Sequence, residues 1–326
     1  MKRLLFTMLM AMLMIVLVAC GSSNDTDSNT DVSDSDTTTE TTEEESQSET
    51  VVVEHKLGTA EVPKNPEKVV VFDFGTLDTL DYLGIDVVGV PQANIPSYLE
   101  KYAGDEYENV GSLKEPDFEK IAEIDPDLII ISGRQAELYD QFTELAETVY
   151  FELDPANYME SFENNATTIG EIFGKEAEVE EAINEVKESI EAIKEKAEAS
   201  DEKALIILAN DDKISAYGPN SRFGFIHDVL GVTPVDENIE ASTHGMNISF
   251  EYVVDNDPDI LYVIDRSAAV GGETSAEQLV ENELVEKTKA YQNDRIYYLN
   301  PDYWYLSGGG LVSVPEMIKE IENSFE

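Results

Sequence analysis

The sequence is poor in cysteine, histidine and positive charge. One cysteine, Cys20, and three histidines occur in 326 residues. This excludes a disulfide framework, a zinc cluster built from thiolates and a cysteine nucleophile in the rest of the chain. The 21 Lys+Arg stand against 69 Asp+Glu, a net charge of -48. Because so acidic a surface repels phosphates and no basic run interrupts it, we expect no nucleic-acid binding.

Enzyme motifs are missing as well. The sequence has no HExxH, no Gly-x-Ser-x-Gly and no dinucleotide fingerprint, and the glycines at 308–310 lack the Gly-Lys-Ser/Thr end of a phosphate loop. We therefore expect a binding protein rather than an enzyme. A hydrolase is the alternative from another class, and it would need a triad or metal motif that is not found.

The long apolar run lies at the N terminus. Lys2 and Arg3 precede LLFTMLMAMLMIVLVA, which is typical of a secretory signal and too short for a permanent membrane span. Residues 17–21, LVACG, resemble a bacterial lipobox, in which the cysteine is lipidated; an ordinary signal with a chance cysteine is the alternative. We expect residues 1–19 to be a lipoprotein signal peptide and residues 20–50 to be the lipidated Cys20 followed by a disordered acidic tether.

Two segments 132 residues apart resemble each other. Residues 118–134 read FEKIAEIDPDLIIISGR and residues 250–266 read FEYVVDNDPDILYVIDR. Each predicts a short helix, a turn at Asp-Pro and an apolar strand, at 128–131 and 260–264, that ends beside an arginine. The repeat predicts two α/β lobes, an N-terminal one over 51–157 and a C-terminal one over 202–326.

The segment between the lobes, 158–201, reads as helix. Apolar residues recur at spacings of four and three from Val179 to Ala197, with Glu and Lys elsewhere. We expect about forty helical residues, roughly 40 to 60 Å at 1.5 Å per residue, that include one long helix joining the lobes. A ligand would then bind in the cleft where the strand ends face each other.

Arginines occupy the matching strand ends. Arg134 and Arg266 close the two copies of the repeat, and Arg222 lies in the turn-rich loop GPNSRFG at 218–224. We expect them to hold an anion in the cleft. The alternative is that each pairs with one of the many surface carboxylates.

Other candidates are a histidine and an aromatic run. His244 lies in a loop next to glycine, which suits a ligand, whereas His227 on a short helix fits a structural role better. Residues 297–307, YYLNPDYWYLS, contain five aromatic residues before three glycines. Such a loop can stack on a planar ligand, and a phenolate can bind Fe(III). We expect Trp304 to contact the ligand.

Together these features resemble the class III substrate-binding lipoproteins of ABC importers. The segments SGRQ (132–135), GPNSRFGFIHDVLG (218–231), THGMNISFEYV (243–253), VIDR (263–266) and NPDYWYLSGGG (300–310) are similar to those of the binders of catecholate siderophores of the petrobactin and enterobactin type. The resemblance covers about residues 51–326. It implies two α/β lobes joined by one long helix, no intrinsic cofactor and a ferric siderophore as cargo.

The resemblance also implies ligand contacts. In that branch three arginines form a cationic cup, matched here by Arg134, Arg222 and Arg266. A histidine and a tyrosine complete the iron shell when the siderophore is tetradentate, matched by His244 and Tyr305, with Tyr303 as the alternative tyrosine. A haem or cobalamin binder of the same fold is the alternative function, and a zinc or manganese receptor would need more histidines.

Its partners follow from the same resemblance. One glutamate of each lobe docks on the permease, matched by Glu119 and Glu251, with Glu115 as the alternative to Glu119. The implied protein is a monomer that is held on the extracytoplasmic face of the cell membrane by its lipid anchor.

Overall fold

The computed structural model describes residues 49–326. The predicted signal peptide, Cys20 and nearly all of the predicted tether lie outside these residues. Within 49–326, no helix has both the length and the apolar character that crossing a membrane requires.

Strands and helices alternate along the described chain. The strands are β1 (Thr50–His55), β2 (Gly58–Pro63), β3 (Val69–Val71), β4 (Gly89–Val90), β5 (Glu108–Asn109), β6 (Leu128–Ile131), β7 (Thr148–Tyr150), β8 (Ala204–Asn210), β9 (Lys213–Tyr217), β10 (Met246–Ile248), β11 (Ile260–Asp265) and β12 (Ile296–Leu299). The α-helices are α1 (Phe74–Tyr82), α2 (Phe118–Ile124), α3 (Tyr139–Thr143), α4 (Tyr158–Phe173), α5 (Glu176–Glu198), α6 (Phe225–Asp228), α7 (Phe250–Asn256), α8 (Arg266–Val270), α9 (Ala276–Val280), α10 (Lys289–Gln292) and α11 (Ser313–Glu322). A 3₁₀-helix (Ser97–Ala103) and a π-helix (Asp302–Ser307) also bear on the site.

Two five-stranded sheets organise the fold. The first has the order β5-β4-β3-β6-β7 and is parallel throughout. The second has the order β10-β9-β8-β11-β12, in which β8, β11 and β12 are parallel and β9 and β10 are antiparallel to their neighbours. Strands β3, β6, β8 and β11 are apolar and almost fully buried, as expected for sheets covered on both faces. The predicted α/β class is confirmed.

The repeat corresponds to two matching helix–strand units, α2–β6 and α7–β11. Each helix has seven residues and ends at an aspartate in the left-handed conformation, Asp125 (φ 53°) and Asp257 (φ 42°). Each strand is the fourth of its sheet and lies between two parallel neighbours. The two arginines that follow these strands therefore occupy equivalent positions.

The helical connection is a hairpin rather than a continuous rod. The predicted long helix is α5, whose apolar positions from Val179 to Ala197 are buried. The preceding helix, α4, ends at Gly174 in the left-handed conformation (φ 63°), and the chain turns back so that Lys187 of α5 pairs with Glu163 of α4 at 2.7 Å. At 16 and 23 residues the two helices are about 24 and 35 Å long. Together the two helices account for the predicted stretch of about forty helical residues, and α5 is its one long helix. The sequence did not predict that the chain reverses at Gly174 and places the two helices side by side.

Candidate functional site

The three predicted arginines converge on one residue, Tyr305. Arg134 and Arg222 each donate a hydrogen bond to its backbone carbonyl oxygen, at 3.0 and 2.7 Å. The Nε of Arg266 donates to its phenol oxygen at 2.9 Å, and the guanidinium carbon of Arg222 lies 4.3 Å from the centre of its ring. Both sheets therefore contribute to one site, since Arg134 follows β6 and Arg266 follows β11.

Local contacts hold each arginine in place. Gln135 is fully buried and accepts a hydrogen bond from the backbone N–H of Ser132 at 3.0 Å, which fixes the loop that carries Arg134. Arg266 begins α8 and donates to Oδ1 of Asn210, the last residue of β8, at 2.7 Å. Arg222 stacks beside Phe223, 5.2 Å from the ring centre. The site is therefore held in this arrangement by the protein itself.

No carboxylate among residues 49–326 forms an ion pair with the three arginines of this site. Among residues 49–326, every ion pair within 4.0 Å that includes an arginine belongs to Arg295, which pairs with Glu202 at 2.8 Å. Arg134, Arg222 and Arg266 instead donate to neutral oxygens. In a chain of net charge -48, this arrangement concentrates positive charge in one place, as an anion site requires.

The electrostatics of the site also act on Tyr305 and Arg222. Burial by itself raises the pKa of the Tyr305 phenol, but the charge of Arg222 and the hydrogen bond from Arg266 outweigh it, so the pKa is lowered overall. Burial, followed by repulsion from Arg134, lowers the pKa of Arg222. The phenol is thus biased toward the phenolate, the form that binds a metal cation.

The structure does not bring His244 into contact with the arginines or Tyr305. His244 is exposed, and its backbone N–H donates to Oγ of Ser242 at 3.1 Å. Its neighbour Gly245 (φ 72°) lies against the ring of Tyr217, which borders Phe223 at 4.6 Å between ring centres. Residues 49–326 contain no cluster of three or more His, Cys, Asp or Glu side chains suited to a metal ion.

The aromatic run divides between core and site. Trp304 is only 3% exposed and its Nε1 donates to Oε2 of Glu320 at 2.7 Å, so the expected ligand contact of Trp304 is corrected to a core position. Tyr303 packs against Tyr98, with ring centres 4.9 Å apart. Of the two alternative tyrosines, the one that touches the arginines is Tyr305. Spacing alone could not separate them because a π-helix sets their directions.

The glutamates predicted to dock on a permease are exposed and equivalent. Glu119 lies in the first turn of α2 and Glu251 in the first turn of α7. Glu115 is exposed as well but precedes α2 in a loop. The structure therefore places Glu119 and Glu251, and not Glu115, at matching positions of the repeat.

Three residues of the site were missed from sequence: Asn210, Tyr217 and Gln135. Asn210 is the last residue of β8 and Tyr217 is the last residue of β9. Both strands precede the second copy of the repeat, so the repeat gives no information about them. Gln135 follows Arg134 directly, and only its burial marks it. His227 was predicted to be structural, and this is confirmed because it is 8% exposed and its Nδ1 lies 2.7 Å from the carbonyl oxygen of Val232.

The chain is similar to several known iron-transport proteins. It is 51% identical over 283 residues to petrobactin-binding protein YclQ of Bacillus subtilis, covering 85% of this chain and 89% of that protein. It is 32% identical to ferric-anguibactin-binding protein FatB of Vibrio anguillarum, covering 85% and 88%. The crystal structure of YclQ superimposes with a TM-score of 0.83 at 53% identity, covering 85% of this chain and 99% of that one.

A second solved structure has a similar fold. The periplasmic catecholate-siderophore binding protein VctP of Vibrio cholerae superimposes with a TM-score of 0.80 at 35% identity, covering 84% of this chain and 100% of that one. The sequence model of the periplasmic binding protein family matches residues 69–303. This match contains both sheets up to Leu299 and all three arginines. The chain belongs to the periplasmic binding protein family.

Proposed function

We propose that this protein is a receptor that binds a ferric catecholate siderophore and delivers it to an ABC importer for iron uptake. The observation that carries the proposal is the set of three arginines, Arg134, Arg222 and Arg266, which meet at Tyr305 with no carboxylate partner among residues 49–326. A ferric tris-catecholate carries up to three negative charges. Three unpaired guanidinium groups match that charge.

The net charge of -48 does not by itself exclude an anion from this site. Charges further than the ~8 Å screening length at physiological salt contribute little to an exposed site. The relatives support the same cargo class, since YclQ is named for petrobactin and VctP for catecholate siderophores. They also support a binding protein without an intrinsic cofactor rather than an enzyme.

The cellular placement is part of the proposal. Lipidation of Cys20 would hold the protein on the extracytoplasmic face of the membrane, with the acidic segment up to residue 50 between the lipid and the folded domain. We infer that the two sheets form separate lobes, 51–157 and 202–326, joined by the helices in 158–201. The protein would act as a monomer, with the ligand held between the lobes.

Cargo identity can be measured through the only tryptophan. Trp304 is buried next to Tyr305, so a bound ferric catecholate, which absorbs light strongly, is expected to quench its fluorescence. The titration compares ferric petrobactin with haem and cobalamin at micromolar concentration, and absorbance spectra of each mixture serve as the second readout. Quenching and a spectral change with haem or cobalamin alone would favour the alternative cargo and contradict the catecholate.

Permease docking gives a separate prediction. Glu119→Ala and Glu251→Ala are expected to abolish iron uptake in cells while the affinity of the purified protein for ferric siderophore stays unchanged, because both side chains are exposed. Glu115→Ala, a nearby exposed glutamate outside α2, is the matched control and should keep uptake. Loss of affinity in the purified Glu119 or Glu251 variant would instead assign these residues to the ligand site.

A further inference from the structure

Helix α1 carries a fully buried carboxylate that belongs to none of the contacts described above. Asp78 is 0% exposed. Its Oδ1 accepts a hydrogen bond from the backbone N–H of Val312 at 3.2 Å, and its Oδ2 accepts one from Ser313 at 3.0 Å. Val312 immediately precedes α11, and Ser313 is the first residue of that helix. A carboxylate from the N-terminal half therefore caps a helix of the C-terminal half, where the helix dipole favours negative charge.

The same face of α1 contacts the segment that precedes α11. Thr79, next to Asp78, accepts a hydrogen bond at Oγ1 from the backbone N–H of Leu311 at 3.2 Å. A β-carbon added at Gly75 would lie 3.0 Å from the carbonyl oxygen of Ser307, and one at Gly310 would overlap Oδ1 of Asp78. Residues 75, 78 and 79 lie on one helical face. This face holds the backbone of 307–313 directly.

Tyr98 extends these contacts to the end of the π-helix. Its hydroxyl oxygen lies 3.0 Å from Oδ2 of Asp78 and 2.6 Å from Oγ of Ser307. Both distances suit hydrogen bonds if Tyr98 donates to the carboxylate and Ser307 donates to Tyr98. Ser307 is the last residue of the π-helix and follows Tyr305 by two residues.

We propose that Asp78 is a positioning residue of the ligand site, because its contacts with Tyr98 and with the start of α11 fix the π-helix that presents Tyr305 to the three arginines. A π-helix is uncommon and less stable than an α-helix, and the three glycines at 308–310 have unusual backbone freedom. Contacts from outside the segment must therefore define its position, and Asp78 lies at their centre. The effect on ligand affinity rests on the proposed function, whereas the effect on Tyr305 does not.

The surroundings of Asp78 are neutral. The titratable groups that act on it or respond to it are the phenols of Tyr98 on the 3₁₀-helix, Tyr158 on α4 and Tyr303 on the π-helix. Burial raises the pKa of Asp78 to about 7, against the opposing effect of its hydrogen bonds. This pKa lies above the value of about 3.8 for an exposed aspartate. Protonation of Asp78 therefore stabilises the folded protein, and this stabilisation is complete below about pH 3.8. It is lost as the pH rises toward 7.

One measurement therefore tests the buried carboxylate without any ligand. The unfolding temperature of the wild-type protein is expected to fall more steeply from about pH 5 to about pH 8 than that of Asp78→Asn, which cannot titrate at this position. Equal slopes for the two proteins would contradict the burial of a titrating Asp78.

The positioning role is tested on Tyr305 itself. In protein labelled with 3-fluorotyrosine, the ¹⁹F resonance of Tyr305 is assigned by its loss in Tyr305→Phe. In Asp78→Asn, an amide N–H₂ replaces one of the carboxylate oxygens that accept from the backbone N–H groups of Val312 and Ser313. Tyr98→Phe removes the hydrogen bond to Ser307 but leaves the contacts of Asp78 with the start of α11. Both variants are expected to shift the Tyr305 resonance and to weaken binding of a ferric bis-catecholate, by roughly tenfold for Asp78→Asn.

Asp81→Asn is the matched control. It makes the same substitution one turn further along α1, where Asp81 contacts Tyr102 and Lys101 and not the segment 307–313. A Tyr305 resonance that stays at its wild-type position in both Asp78→Asn and Tyr98→Phe would overturn the proposal. If the resonance moves in both but the wild-type protein binds no ferric catecholate, the positioning role stands and the proposed function fails.

Discussion

Replacing both Arg134 and Arg266 by alanine is expected to weaken the binding of a ferric catecholate by roughly a hundred- to ten-thousandfold at physiological salt. A hydrogen bond to a charged group contributes about 1.5 to 3 kcal/mol, so each single substitution should cost roughly ten- to a hundredfold. The two arginines contact different atoms of Tyr305. Their effects should add if each holds the ligand separately, and fall short of the sum if they act together through Tyr305.

The control for lost charge is Arg295→Ala. Arg295 pairs with Glu202 and with the backbone of Ser324, so this variant should unfold at a lower temperature and keep its affinity below that temperature. Isothermal titration of the wild-type protein, the two single variants, the double variant and Arg295→Ala with one ferric catecholate gives the comparison. Wild-type affinity in the double variant would contradict the placement of these arginines in the ligand site.

Much of the fold could be predicted from the sequence because it depends on local pattern. The apolar strands β6 and β11 stand out between Asp-Pro turns, and the offset of 132 residues shows that they are equivalent. The stripe from Val179 to Ala197 predicts α5 from its spacing alone. The hairpin of α4 and α5 could not be predicted so directly, since Gly174 shows where a helix ends but not which direction the chain then takes.

The site could be predicted only in part, because burial and direction are not local properties. The repeat and the loop composition led to Arg134, Arg222 and Arg266, which the structure brings together. The role of Trp304 was mistaken because the sequence does not show whether an aromatic side chain faces the core or a ligand. Asp78 has no sequence signature, since in a chain with 69 acidic residues only the structure distinguishes the buried carboxylate.

Tyr305→Phe is expected to weaken binding of a tetradentate ferric bis-catecholate by at least roughly a hundredfold, the upper end of what losing an outer-shell partner of a metal costs. Such a siderophore leaves two positions of octahedral Fe(III) open. A phenolate is a suitable ligand for this hard ion, and the charge of Arg222 together with the hydrogen bond from Arg266 already lowers the pKa of Tyr305. A hexadentate tris-catecholate fills all six positions, so its affinity should change little.

His244→Ala is expected to follow the same pattern for a different structural reason. His244 is exposed on a loop, and we expect that loop to move toward Tyr305 and bring the imidazole to the iron when the ligand binds. Gly245→Ala tests the position of the loop while the His244 imidazole is retained. A β-carbon at residue 245 would lie 2.7 Å from the ring of Tyr217, so the loop would have to shift away from that ring. Direct ligation predicts that His244→Ala and Tyr305→Phe shift the charge-transfer band of the bis-catecholate complex, and that Gly245→Ala weakens the same complex. Equal losses for tetradentate and hexadentate ligands, with no spectral shift, would show that both side chains contribute shape alone.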